Sequence, residues 1–318
     1  MATTLDSPPS ILPLYARAAA PLIPGASLLP FVPGRGDEVP EIELELTLSP
    51  DPEQVAAYAR VCGFTLRDRL PATYPHVLAF PLHMAIMARG DFPFGAVGLV
   101  HVENRIAQRR PIGIGEELTI KVRPTKLRPH PRGRTFGLQT KVKAGNRIVW
   151  ESTSTMLRRG ASKKPADGPK SRSGRDDGPN SPAELDISAR RREGGGGASA
   201  LWRLSGDLGR RYASVSGDRN PIHMHSLTAK PLGFPRAIAH GMWSKARCLA
   251  ALESRMPDAF EAGVRFRKPI LLPGRVEFAS EADGERIDFS VRDAKRGTPH
   301  LDGRVAPLED NSTDARRK

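Results

Sequence analysis

The residues able to do chemistry in this 318-residue chain concentrate between Tyr212 and Trp243, a stretch reading YASVSGDRNPIHMHSLTAKPLGFPRAIAHGMW. Within it Asp218 and His223 stand five apart, with Asn220-Pro221 between them. The residue before a proline avoids the helical region, so an irregular backbone carries the pair. A carboxylate and an imidazole presented on one loop can share a water molecule, the arrangement that general acid–base chemistry needs. A plainer outcome fits the same residues: Asp218 makes an Asx-turn at Asn220-Pro221, and His223 is a packed core histidine. The Asp-x-x-x-x-His spacing alone leaves both readings open.

Other chemistries find less support. His223-Met224-His225 offers two imidazoles, but no third and fourth ligand follows at a suitable spacing, and no metal is expected. The two cysteines, Cys62 and Cys248, cannot build a disulfide framework or a four-thiolate zinc site, and such sparse use suits a reducing compartment. The glycines from Gly90 to Gly98 lack the spacing of a dinucleotide or P-loop turn. No Gly-x-Ser-x-Gly elbow lies near a usable His and Asp.

The elements that must position the pair repeat along the chain. Tyr58-Ala59-Arg60-Val61-Cys62-Gly63 resembles Tyr212-Ala213-Ser214-Val215-Ser216-Gly217. Phe80-Pro81-Leu82-His83-Met84 precedes Pro111-Ile112 much as Ile238-Ala239-His240-Gly241-Met242 precedes Pro269-Ile270, and each Pro-Ile pair follows a basic residue, Arg110 or Lys268, and precedes a glycine, Gly115 or Gly274. Three anchors in one order indicate a fused tandem duplication.

Each half has the same coarse plan. Short helices are expected over 52–61 and 206–215, and long apolar helices over 78–89 and 237–252. Alternating, β-rich stretches follow each long helix, four in the first half from 95 to 159 and four in the second from 261 to 308. A long helix followed by antiparallel strands predicts an α+β class with the sheet wrapped around the helix.

Read as a whole, the 212–243 segment resembles the MaoC-like acyl dehydratases, the (R)-specific enoyl-CoA hydratases of the hot-dog fold. The resemblance is carried by Ser-Gly-Asp-Arg-Asn-Pro-Ile-His (216–223), by Ala229 to Met242, and by Phe266 to Pro269 with Gly274. It covers essentially the whole second half. A looser similarity links LPATYPHVLAFPLHMAIM and GLVHVENRI to the non-catalytic unit of two-repeat members, so a tandem, or double, hot-dog is expected. The resemblance implies a hydro-lyase that adds water to a trans-2-enoyl thioester or removes it from the (R)-3-hydroxyacyl thioester. Asp218 and His223 would hold and deprotonate the water that attacks C3. Gly241, at a helix start where N–H groups are unpaired, would donate its amide to the thioester oxygen. Asn220, Ser216 and His240 would support the loop. The substrate would be a coenzyme A or acyl carrier protein thioester, and no separate cofactor is expected.

In the first half Phe64 stands where Asp218 stands, Arg69 where His223 stands, and Leu82-His83 where His240-Gly241 stand. That half is therefore expected to be catalytically silent. Phe80, Leu82 and Met87 would line a longer acyl tail, or simply form core; Phe234 would join them at the second half. Lys230, Arg236, Arg265 and Arg267 would meet coenzyme A phosphates, or simply be solvated surface charges. Two alternatives for the whole chain are a hot-dog acyl-CoA thioesterase and a non-catalytic acyl-thioester-binding partner subunit.

Lys and Arg number 49 against 35 Asp and Glu, a formal charge of +14 with a pI near 10.3. Ten of the basic and six of the acidic residues fall between Arg158 and Glu193, in a Gly/Pro/Ser-rich stretch expected to be a flexible linker over 161–198. The remaining charge is spread without an aromatic interleave or a DNA-reading motif, so no nucleic acid partner is expected. The linker divides a unit over 1–160, with its own N-terminal arm, from a catalytic unit over 199–310 and a polar tail over 311–318. The apolar N-terminal stretch is broken by prolines and Arg17 and gives no membrane span, and the protein is expected to be cytoplasmic. The two units form an internal pseudo-dimer, and a further homodimer is left open.

Overall fold

The computed structural model describes residues 2–20, 34, 37–160 and 198–308. The first half runs β1 (Thr3–Leu5), α1 (Ile11–Ala19), β2 (Leu44–Leu48), α2 (Pro52–Cys62), α3 (Tyr74–Met87), β3 (Leu99–Gln108), β4 (Leu118–Pro124), β5 (Arg128–His130), β6 (Gly133–Ala144) and β7 (Arg147–Arg159). The second runs β8 (Ala198–Leu204), α4 (Leu208–Ser216), α5 (Pro221–Met224), α6 (Ser226–Ala229), α7 (Gly241–Leu252), β9 (Phe260–Phe266), β10 (Gly274–Asp283), β11 (Arg286–Asp293) and β12 (Pro299–Pro307). The expected linker lies outside the described residues except for Ala198, which already opens β8, and the expected polar tail lies outside them altogether.

The strands form one sheet in the order β1-β2-β4-β6-β7-β3-β9-β12-β11-β10-β8, with β5 hung on β6. Its halves mirror one another about the β3–β9 pair. At that seam Arg105 faces Gly263, and each stands six residues before its own Pro-Ile pair. All neighbouring strands run antiparallel except β1 and β2. Inward apolar residues alternate along β4 (Leu118, Ile120, Val122) and β10 (Val276, Phe278), as period-two strands require.

The short helices α2 and α4 are built alike. Asp51 accepts the amide of Glu53 at 2.9 Å to open α2, Pro52 sits where its missing N–H costs nothing, and Gly63 closes the helix at φ 81°. Gly217 closes α4 at φ 74°. Only glycine adopts that left-handed turn without a Cβ penalty, and it aims the next residue, Phe64 or Asp218, along an equivalent path.

The central helices correct one sequence expectation. The helix α3 begins at Tyr74, behind Thr73, and not beside Leu82-His83. Tyr58 donates its hydroxyl to Thr73 at 2.8 Å, while Tyr212 packs its ring 4.8 Å from that of His240. The counterparts of His240 and Gly241 are therefore Thr73 and Tyr74, about two and a half helical turns earlier. The longer connection between α3 and β3, rich in glycine and phenylalanine from Gly90 to Gly98, takes up the difference. In the second half α7 starts at Gly241, four residues later than expected, because 237–239 are held extended by Ala239 N–H to Ile270 O and Leu272 N–H to Ala237 O.

One buried apolar cluster runs through both halves. Trp243 of α7 donates to Val61 O at 3.1 Å, and Tyr58 and Tyr212 lie 6.0 Å apart, ring to ring. Lys245, fully buried, donates to the side-chain and main-chain oxygens of Asn104 on β3 and to Ala262 O on β9. Three oxygens match the three N–H groups of an ammonium, which is how a cation is tolerated in a core. This lysine ties α7 to the seam between the halves.

Candidate active site

The loop after α4 brings the pair together. Gly209 lets α4 approach the turn beneath it: a Cβ there would lie 2.0 Å from His223 O. Asn220 opens α5, its side chain accepting Ile222 N–H at 3.4 Å, and His223 N–H returns to Asn220 O at 2.9 Å. Ser216 accepts the amide of Asp218 at 3.2 Å. Asp218 does make the Asx contact that the plainer reading required, accepting Asn220 N–H on Oδ1 at 3.2 Å. That bond uses one oxygen and leaves the other free for chemistry.

His223 is buried, with Nδ1 2.8 Å from Ile238 O. A carbonyl can only accept, so Nδ1 carries the hydrogen, and Nε2 holds a lone pair whenever the ring is neutral. Burial pushes the His223 pKa below the ordinary histidine value, against the pull of Asp218 and Ile238 O. His240 donates from Nε2 to Asp218 O at 2.9 Å, with the carboxylate Oδ2 3.9 Å away. Burial, then His223, bring its pKa down to about 3. Burial raises the Asp218 carboxyl, but His240, His223, the Tyr15 hydroxyl and Asn220 N–H together hold it below its ordinary value. The side chain remains 28% exposed. At neutral pH the loop thus presents a carboxylate beside a neutral imidazole.

Gly241 is the first residue of α7, with His240 in extended backbone before it. A Cβ on Gly241 would press the Phe266 ring at 3.1–3.3 Å. Glycine suits this close approach, and Gly241 and Met242, at the helix start where amides lack intrahelical partners, line the cleft.

Asp218, Asn220, His223, Ser216, His240 and Gly241 all line one cleft of about 1340 Å³, counting its open mouth. Across from them, α3 contributes a stripe of His76, Phe80, His83 and Met87, spaced i, i+4, i+7, i+11 on one helix face, with Val77 beside it. Phe234 lines it too, as does Arg267, whose Nε donates to Asp302 at 2.8 Å. Leu82 does not. Two residues on from Phe80 it faces the opposite side of the helix and is fully buried. Arg265 is also outside the cleft, 3.6 Å from Glu103 on the surface, and Lys230 and Arg236 do not line it. Cations for which the sequence suggested no role in binding do: Arg132 and Arg159 from the first half and Lys268 from the second.

In the first half, the position of Asp218 is filled by buried Phe64, and Arg69 reaches out to Asp258 at 3.0 Å. Among the described residues, Asp218, His223 and His240 form the one grouping whose atoms, within 4.8 Å of each other, could hold a metal. Each imidazole there already commits one nitrogen to a main-chain carbonyl.

Two helix-and-sheet units joined edge to edge, with a polar loop facing the start of one central helix, make this a double hot-dog protein. Comparison with known proteins supplies the family. Residues 203–303 match the MaoC like domain. The chain is 39% identical over 305 residues, 94% of its length and 99% of the relative's, to 3-hydroxyacyl-thioester dehydratase X of Mycobacterium tuberculosis. The crystal structure of HtdX from M. tuberculosis superposes with a TM-score of 0.68 at 36% identity, covering 83% of this chain and 100% of that one. A second M. tuberculosis protein described as a double hot-dog superposes at 0.50 with 16% identity, over 86% of this chain and 96% of its own, which supports the fold alone. The chain belongs to the MaoC-like dehydratase family, a family of hydro-lyases. No helix among the described residues is long and apolar enough to cross a membrane.

Proposed function

We propose that the chain interconverts a trans-2-enoyl thioester and the (R)-3-hydroxyacyl thioester, with Asp218 and His223 as the acid–base pair and the Gly241 amide as donor to the thioester oxygen. The observation that carries this reading is the convergence of a carboxylate, an imidazole lone pair and a helix start on one cleft. In hydration, a water held between Asp218 Oδ2 and His223 Nε2 gives one proton to the pair. Its oxygen bonds to C3, and the C2–C3 π electrons move toward C2 and the thioester carbonyl, where the Gly241 N–H stabilises the negative charge. A proton then passes to C2 from the same face. Dehydration is the reverse, and the step as written consumes only water and thioester.

The tail of the acyl chain would run along the α3 stripe of Phe80 and Met87. Arg132, Arg159, Arg267 and Lys268 along the cleft suit an anionic carrier, coenzyme A or acyl carrier protein. The test is the loss of enoyl absorbance across a crotonyl-CoA to dodecenoyl-CoA series, with chiral analysis of the product and a parallel assay of free thiol. Hydration to the (R)-alcohol without thiol release is expected. Thiol release with the double bond intact would replace this reading with a thioesterase, and binding without turnover would replace it with a carrier-binding subunit.

A further inference from the structure

The N-terminal helix α1 carries its apolar and aromatic residues at Ile11, Leu14, Tyr15 and Ala18, spaced i, i+3, i+4, i+7. Leu14 and Ala18 are buried, Leu12 on the opposite face is 70% exposed, and Ile11 packs so near Gly217 that a Cβ there would come within 2.7 Å of it. Docked in this way, the helix brings Tyr15 to the other half of the molecule, where its hydroxyl donates to Asp218 Oδ1 at 2.7 Å across 203 residues of sequence. We infer that Tyr15 is a positioning residue for Asp218: with the Asn220 amide it fills Oδ1, sets the carboxylate plane and leaves Oδ2 toward the cleft. This inference rests on the catalytic role proposed for Asp218.

The charge balance supports the geometry. Burial and the neighbouring carboxylate push the Tyr15 hydroxyl well above its ordinary value, so it remains a donor at any working pH. The groups that act on Asp218 are Tyr15 from α1, the Asn220 amide and His223 from the loop and α5, and His240 before α7; its charge in turn reaches Tyr212 of α4, His76 of α3 and His101 of β3. Of these, only Tyr15 and the Asn220 amide donate hydrogen bonds to the carboxylate oxygens. Removing one of two such donors raises the pKa of the acid.

The experiment compares the full-length parent with Tyr15→Phe, Leu12→Ala and Asp218→Asn in crotonyl-CoA hydration from pH 3 to 8.5, with circular dichroism recorded at each pH. For Tyr15→Phe, kcat is expected to fall about tenfold with KM within about twofold, and the midpoint of the acid limb to move up by about one pH unit. Rates are divided by the folded fraction that circular dichroism gives at each pH, so the midpoint reads the inference even if the variant is less stable. Leu12→Ala should match the parent. A Tyr15→Phe profile that superposes on the parent, or a rise in kcat showing that the hydroxyl obstructs the carboxylate, would overturn the inference. An active Asp218→Asn would instead remove the catalytic role of Asp218 beneath it.

Discussion

The imidazole of His223 lies face to face with that of His240, ring centres 3.7 Å apart and planes within 25° of parallel. Each ring gives one N–H to the main chain, His223 to Ile238 O and His240 to Asp218 O. Two buried, stacked imidazoles repel one another if both are protonated. Burial keeps His223 neutral, with a lone pair on Nε2; His223 in turn adds to the burial that lowers His240, and the bond from His240 pins the backbone beneath Asp218.

The pair itself is tested by Asp218→Asn and His223→Gln. Each is expected to lower kcat for enoyl-CoA hydration by at least about a hundredfold, the scale of a lost general base, with an unchanged thermal midpoint. Rates within a few fold of the parent in both variants would reassign the chemistry.

Gly241→Ala places a methyl group against the Phe266 ring at 3.1–3.3 Å. The ring must shift or α7 must tilt, and either moves the donor amide, so kcat should fall about tenfold, or roughly 1.4 kcal/mol. Adding Phe266→Leu relieves the contact and should recover much of the loss. A single variant as active as the parent would show that the amide is not used.

Chain-length preference should respond to the α3 stripe. Met87→Trp fills the cleft on the face shared with Phe80, and kcat/KM for dodecenoyl-CoA is expected to drop about tenfold or more while crotonyl-CoA stays within about twofold. The drop corresponds to roughly one or two displaced methylenes of favourable contact. Equal effects on both substrates would place the tail elsewhere.

Stability should fall on mild acidification. Burial is the main cause holding His76 at about 4, His101 at about 3 and His240 at about 3, all below the ordinary value of 6.5. Between those values and 6.5 the unfolded chain binds more protons than the folded one, so stability is full above about 6.5 and declines as pH falls toward 3. Urea midpoints measured from pH 7.5 to 4.5 should decrease steadily, and His76→Phe should flatten the slope if it folds. A midpoint unchanged down to pH 4.5 would show that these rings are already protonated or become solvated.

The sequence was most legible where short-range rules act. Period-two alternation located β3, β4, β6, β7 and β9 to β12, and the shared Tyr-Ala-x-Val-x-Gly run marked α2 and α4 with their left-handed glycine caps. The same segment carried Asp218, Asn220, His223 and Gly241, because a loop and the helix start after it are adjacent in sequence. Three things were not legible. The match of Leu82-His83 to His240-Gly241 was a resemblance of residue types in an apolar helix with no strong cap, and the longer connection before β3 hid the offset. The strand β2 is only five residues long, and β8, at one end of the sheet, adjoins a glycine run. Tyr15 reaches Asp218 only through tertiary packing; the spacing of Ile11, Leu14, Tyr15 and Ala18 predicts an amphipathic helix but not what lies beneath it.

The seam at Arg105 and Gly263 joins the two halves as neighbouring strands of one sheet on one polypeptide. The first half therefore cannot dissociate from the second on dilution or be exchanged for that of another copy. Any dependence of specific activity on protein concentration would report association between whole chains, and titration with a tight inhibitor should reach its end point at one equivalent per chain.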